Sequence, residues 1–350
     1  MSFQNLFSKR NFEKAKALNS RKNAEFASFE KMRFPNQKDE SWKFSKLSEG
    51  DFDGLSGFGT VFKPEVKSEN AKVSFGPAKV EWNATDKIEA AVKAFTNSFM
   101  HINAMENKKA KAHAKFFPKE SVAFENTVEI GKGGSLDYFE EFVSGSEKIF
   151  FGCKAVFVLG EGATLNYYPV QDFGENTISI MPREFRLGKN AVANIVQAEI
   201  GAKFSRVKVE QHFNGDGSAA GTNKTVFFAT KDQHFDITTD AFHHARGTKS
   251  DIVVKGALRD KASTVYRGLI KIDKDAKGTD SYLQDRVLHL SKGVKSNSVP
   301  SLVIDNNDVK ASHGATTSRL SDQMLFYLRS RGLSKELAQK IMVEGFLEDV

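Results

Sequence analysis

A chain of 350 residues with 40% hydrophobic and 27% charged side chains can bury a sizeable core and has room for two or three structural units. Its single cysteine, Cys153, excludes an intramolecular disulfide and any cluster held by four of the chain's own thiolates. The net charge of +7 comes from basic residues spread along the whole length with no basic block, which argues against a nucleic-acid partner.

The opening stretch MSFQNLFSKRNFEKAKALNSRKNAEF lacks the apolar block and small-residue cleavage site of a secretory signal. No apolar run of about eighteen residues occurs, so a cytoplasmic location and no membrane partner are expected. The stretch to about Met32 is polar and helix-prone, and Pro35 breaks it ahead of Trp42 and Phe44. In ATDKIEAAVKAFTNSFM, Ile88, Val92, Phe95 and Phe99 recur at three- and four-residue spacings. This predicts a helix with one buried face, capped by Thr85 or Asp86.

From about residue 116 short β-branched and aromatic runs alternate with glycine and asparagine turns. Three segments are near-copies: IGKGGSLDYFEEF from Ile130, LGEGATLNYYPVQ from Leu159 and LGKNAVANIVQAE from Leu187, offset by 29 and 28 positions. A fixed period of this size marks a repeat architecture. Glycine punctuation and strand-like alternation exclude helical repeats, and no leucine framework is present, which leaves a parallel β-helix. The predicted division is a mixed helical region over 1–115, a β-helix core over 116–310 and a helical hairpin over 311–350. Six or seven coils would stack to roughly 30 Å. The helical regions are expected to cover its two ends, and a lateral edge strand offers a second solenoid a place to pair.

Histidines punctuate the later coils. His212 and His234, 22 residues apart, are expected to stack on one face of neighbouring coils. A structural ladder is the favoured reading for them and for His243 and His244, with a metal site using Asp236 or Asp240 as the alternative. His289 reads as a half-buried strand residue, and Cys153 as a small core hydrophobe. His313, in DVKASHGATTSRL, reads as a junction residue between solenoid and hairpin in a small-residue context. It is either reachable by a partner as a ligand or a turn histidine bonded to backbone.

The last thirty residues predict two helices. Ser321 caps the first, with Leu320 and Leu325 placed as a staple, and Gly332 stops it. Ser334 caps the second, which carries Leu337, Ile341 and Met342 and ends near Gly345. No G-x-x-x-x-G-K-[ST], G-x-S-x-G, H-E-x-x-H or C-x-x-C occurs, so ATP hydrolysis by this chain is not expected.

Three stretches together resemble the SufB/SufD family of iron–sulfur cluster assembly proteins, and its SufD branch in particular. They are FPNQKDESWKFSKL, then QHFDITTDAFHHARGTKSD with KGALRDKASTVYRGLIKI, and DNNDVKASHGATTSRLSDQMLFYLRSRGLSKELAQKIMVEGF. Similar SufB chains carry a glutamate before the ATTS segment and a cysteine upstream. Here His313 stands instead, and the cysteine position falls near Asp285. Related SufD chains often read CSHGAT, whereas residue 311 here is alanine. The resemblance implies a right-handed parallel β-helix between helical segments. It implies a non-catalytic scaffold that pairs with a SufB-like paralogue, a homodimer being the alternative. It further implies docking of a SufC-like ABC-type ATPase on the hairpin, with Phe326, Tyr327, Arg329, Arg331, Leu333 and Ile341 as contact residues. His313 would help bind iron or a transient iron–sulfur cluster with a partner thiolate, and a flavin in the complex is a further implied cofactor. A β-helix carbohydrate-active enzyme or a basic nucleic-acid-binding module are the other classes.

Overall fold

The computed structural model describes residues 2–16, 22–59, 61–76 and 80–348. From Ser98 to Arg319 consecutive strands alternate between two sheets and climb as a parallel β-solenoid. The first sheet stacks β4 (Lys109–Phe116), β6 (Ser135–Val143), β8 (Thr164–Phe173), β10 (Val192–Gly201), β12 (Ala220–Ala229), β14 (Lys249–Leu258), β16 (Asp280–His289) and β18 (Lys310–Arg319). The second stacks β3 (Ser98–Ala104), β5 (Val122–Ile130), β7 (Phe150–Leu159), β9 (Ile178–Leu187), β11 (Phe204–Phe213), β13 (His234–His243), β15 (Ser263–Ile272) and β17 (Lys295–Ile304).

The stack passes both expected limits, residues 116 and 310. In β4 the inward positions are Ala110, Ala112 and Ala114 between exposed lysines, and alanine carries little strand signal.

The three near-copies are turns of this stack. Ile130, Leu159 and Leu187 end β5, β7 and β9 and pair in register. The third turn residue, Gly133, Gly162 or Asn190, has a positive φ of 63°, 66° or 56°, which the tight reversal into the next strand requires. The column continues through Phe213, His243, Ile272 and Ile304. Its spacing drifts between 26 and 32 residues from Leu187 onward, so the later copies lose their likeness.

Inside, the early turns are packed with Phe116, Phe124, Phe142 and Phe151, whose rings lie 4.7–6.1 Å apart. Above them sits a polar band. The Arg183 guanidinium donates to Gln197 Oε1 at 2.9 Å and Glu199 Oε1 at 3.3 Å. The Glu140 carboxylate accepts from Asn126 at 2.7 Å and from the hydroxyls of Tyr138 and Tyr167. Cys153 is buried beside this band, and burial pushes its thiol well up, as a core residue requires.

The amino-terminal elements α1 (Phe3–Leu6), α2 (Lys9–Lys16), α3 (Lys22–Lys31) and α4 (Lys87–Phe95) cover a flank. Residues 17–21 of the expected helical stretch lie outside the described residues. Asp86 caps α4, accepting from the backbone N–H groups of Ile88 and Glu89. The helix stops at Phe95; Phe99 instead lies in strand β3, because the cap at Thr96 turns the chain onto the sheet. Phe3, Phe7, Phe12, Phe26, Phe29, Phe52 and Phe95 form an aromatic cluster with Phe150, Ile178, Ile180 and Phe204 of the second sheet. Trp42 donates to Asp86 at 2.9 Å and lies 3.9 Å under the Arg206 guanidinium, which ties its segment to both α4 and β11.

The ends differ from the expected helical covers. At the amino-terminal end antiparallel strands β1 (Glu65–Glu69) and β2 (Ala71–Ser74) pair with β4 and β3, satisfying the edges with backbone bonds. At the other end α5 (Asp322–Ser330) has no buried side chain, and α6 (Lys335–Leu347) lies beside the first sheet. Lys255 Nζ there donates to the Phe346 carbonyl at 3.2 Å. Helix α6 ends at Leu347, close to its expected end near Gly345, where no left-handed turn occurs. Among the described residues no helix is long and apolar enough to cross a membrane.

Candidate functional site

The carboxy-terminal end of the solenoid is open. Strands β17 and β18 each terminate their sheet, and most of their side chains are exposed or half-buried. His313 is not in a junction loop but in β18, in register with Leu283. Neighbouring strands extend that column down through Ile252, Asn223, Ile195 and Tyr167. Paired residues of a parallel ladder point to the same face, and Leu283, Ile252 and Ile195 are interior residues. His313 therefore continues an interior column and is exposed because no strand lies above it. Strand signal is missing from KASHGATTSR for the same reason: the last layer has no further layer to bury against.

Backbone bonds set which groups face outward. Lys310 N–H donates to the Thr279 carbonyl at 2.8 Å and Leu320 N–H to the His289 carbonyl at 3.2 Å, so even-numbered positions of β18 bond to β16. Alternation then turns the N–H and C=O groups of Ala311, His313, Ala315 and Thr317 to the free edge. In β17, Lys295 and Asp305 bond to β15, which leaves Pro300 facing the free edge, where its missing N–H costs no internal bond. The β18 edge thus carries the fuller set of donors.

Just inside this mouth lies Asp285, on β16 opposite Ala315 and buried, with Oδ1 unpartnered among the described residues. Burial pushes its carboxyl up to about 6, partly opposed by a hydrogen bond with Ser298. A carboxyl raised in the folded state stabilises fully below its unfolded pKa, and that contribution is lost as pH climbs through the folded value. Asp285→Asn should match the parent near pH 4 and exceed it by about 2–3 kcal/mol near pH 7, read from urea midpoints.

The hairpin residues sit apart from His313, on α5, α6 and their link. Phe326 is 75% exposed and Tyr327 52%, an unusual level for aromatic side chains. The Arg331 guanidinium lies 5.4 Å from the Tyr327 ring. Arg329 is exposed, Leu333 half-buried and Ile341 41% exposed, so the hairpin presents a mixed apolar and cationic surface. Behind α6 a cleft of about 410 Å³ is lined by Phe228, Leu290, Val343 and Leu347.

His212 and His234 do not stack on one another, because neighbouring coils are about 30 residues apart. His234 pairs with Phe204 and His212 with Phe242. His234 and His243 are buried, held by Ser263 and by Thr248 and Ser250 respectively, and burial lowers each to about 4. His289 is half-buried, 2.8 Å from Ser296 Oγ. Among the described residues no group of three or more His, Cys, Asp or Glu side chains is placed to hold a metal ion. A cleft of about 360 Å³ lies between Ser41, Lys43, Thr85 and the second sheet and is lined also by Lys208. Its Arg206 and Arg267 are both committed to Asp236, at 2.9 and 2.7 Å.

Comparison with known proteins fits this architecture. Residues 113–346 match the family described as "SUF system FeS cluster assembly, SufBD core domain". An iron-sulfur cluster assembly SufBD family protein of Mycobacterium leprae is 33% identical over 202 residues, 55% of this chain and 51% of the relative. One of Mycobacterium tuberculosis (strain H37Rv) is 34% identical over the same shares. A second such protein of Mycobacterium leprae is 29% identical over 231 residues, 65% of this chain and 26% of the relative. The matched stretch spans about half the length of the first two relatives. With the family match covering most of the solenoid and the hairpin beyond it, the chain belongs to the SufBD family of iron–sulfur cluster assembly proteins.

Proposed function

We propose that this chain is a SufD-like, non-catalytic scaffold subunit of an iron–sulfur cluster assembly complex. Its open solenoid end pairs with a SufB-like paralogue, and its hairpin docks a SufC-like ABC-type ATPase. His313 helps hold iron or a nascent cluster beside a thiolate of the partner. The observation that carries this reading is the uncovered last turn, where an interior column ends in an imidazole beside a free strand edge. An end-to-end partner would satisfy the edge and enclose His313 in one step. Two different SufBD family proteins of Mycobacterium leprae match this chain, which supports a paralogous partner. Cluster chemistry suits a shared site, because few thiolates from one chain mean a cargo that can leave.

The test is co-expression of the tagged chain with a paralogue and an ABC-type ATPase. Both should co-purify, and His313→Ala should lower cluster yield severalfold while the complex stays assembled. Failure to retain the ATPase defeats the scaffold reading, and unchanged yield returns His313 to a structural role. A concentration-dependent dimer of the chain alone would favour a second copy as the partner.

A further inference from the structure

We propose that His212 and His244 form a two-histidine site for a divalent transition-metal ion on the outer face of the second sheet, independent of the cluster-assembly reading. His212 projects outward from β11, and His244 follows the last residue of β13. His244 Nδ1 lies 2.7 Å from Asp273 Oδ2, so Nδ1–H donates to the carboxylate and Nε2 is left as the acceptor facing His212. That Nε2 is 3.4 Å from His212 Nδ1. Two nitrogens each about 2.0–2.1 Å from a tetrahedral ion sit about 3.4 Å apart, so the pair already has the required span.

The surroundings hold the His212 ring in place. Phe242 stacks on His212 at 4.6 Å with planes 5° apart, which fixes the ring that the ladder carries. Glu184 and Glu210 lie near His212 and are themselves paired with Lys154 at 3.0 Å and Lys208 at 2.9 Å. The nearby Arg186 is engaged by Glu184 at 2.7 Å and by the Glu81 carbonyl at 2.8 Å. The two imidazoles face each other edge to edge, with planes 6° apart. His244, beyond the strand and 35% exposed, can turn so that both lone pairs converge. The proton shared between the rings then moves to His212 Nε2, and two neutral imidazoles meet the ion with no proton released. Water fills the remaining positions, which makes the site open and exchangeable. Imidazole pairs of this kind accept Fe(II), Co(II), Ni(II) or Zn(II).

The experiment titrates the metal-free chain of 350 residues with Co(II), read by visible absorption, and with Zn(II), read by calorimetry. One equivalent should bind in the parent and in His313→Ala, and be lost in both His212→Gln and His244→Gln. Asp273→Asn should weaken it by about tenfold or more. Unchanged thermal melting of these surface variants shows that they fold. Absence of saturable binding in the parent, unchanged binding in either histidine variant, or loss only with His313→Ala would each overturn the site.

Discussion

Replacing Arg183 with alanine should lower the stability of the chain by about 3–5 kcal/mol, because it leaves buried carboxyls without their cation. Arg183 is 2% exposed and projects into the lumen from β9, in register with Ala155 and Val209. Its guanidinium serves Gln197 and Glu199 and lies 5.9 Å from the rings of Phe142 and Tyr167. Two acids depend on it. Burial pushes both Glu140 and Glu199 up, Glu199 to about 7, and Arg183 opposes that rise in each. Glu140 is surrounded by three donors, whereas Glu199 Oε2 has no partner among the described residues. Glu199, 3.3 Å from the guanidinium, is therefore the charge partner of Arg183 and the acid that takes up a proton as pH falls toward 7.

A double variant separates this account from simple loss of volume. Arg183→Met with Glu199→Leu removes both members and refills the space with apolar atoms. It should recover most of the loss, since replacing a buried pair is often neutral while breaking it is not. Urea midpoints of the purified chain read both effects. A loss under about 1 kcal/mol for Arg183→Ala, or no recovery in the double variant, would mean that water rather than Arg183 stabilises these carboxyls.

Much of the solenoid is legible in the residues, and its gaps have physical causes. The copies at Ile130, Leu159 and Leu187 reveal the coil because equal turns place equal residues in one interior column. Later coils keep the column but vary their turns, and Phe213 and His243 replace the aliphatic marker residue. Arg183 and Glu199 escape notice because a charged residue within a strand normally points to water; only the register shows that these face inward. His212 and His234 mislead because separation along the chain is not separation between coils. His313 was legible as a residue of interest but not as a strand residue, since hydrophobic alternation requires a layer on each side. Asp285 gave no local signal: its role as the floor of the mouth follows from pairing with Ala315.

Ala315→Pro should abolish partner pairing through β18 while leaving the chain folded. The N–H of Ala315 faces the free edge, so proline there removes no bond to β16. Proline on an edge strand is tolerated when its nitrogen faces outward, and β17 already demonstrates this at Pro300. The same substitution deletes a donor in the middle of any ladder built across the mouth and puts a ring where a partner strand would lie. Ser312→Pro is the matched control. Its N–H belongs to the even-numbered set bonded to β16, so it should destabilise the chain itself by about 3 kcal/mol, with urea midpoints as the readout. Retention of a paralogue on the tagged chain should fall by at least about tenfold for Ala315→Pro, with parent-like melting. Undiminished retention would move the interface off the β18 edge and leave the exposed hairpin, with Phe326 and Tyr327, as the surface that holds the complex together.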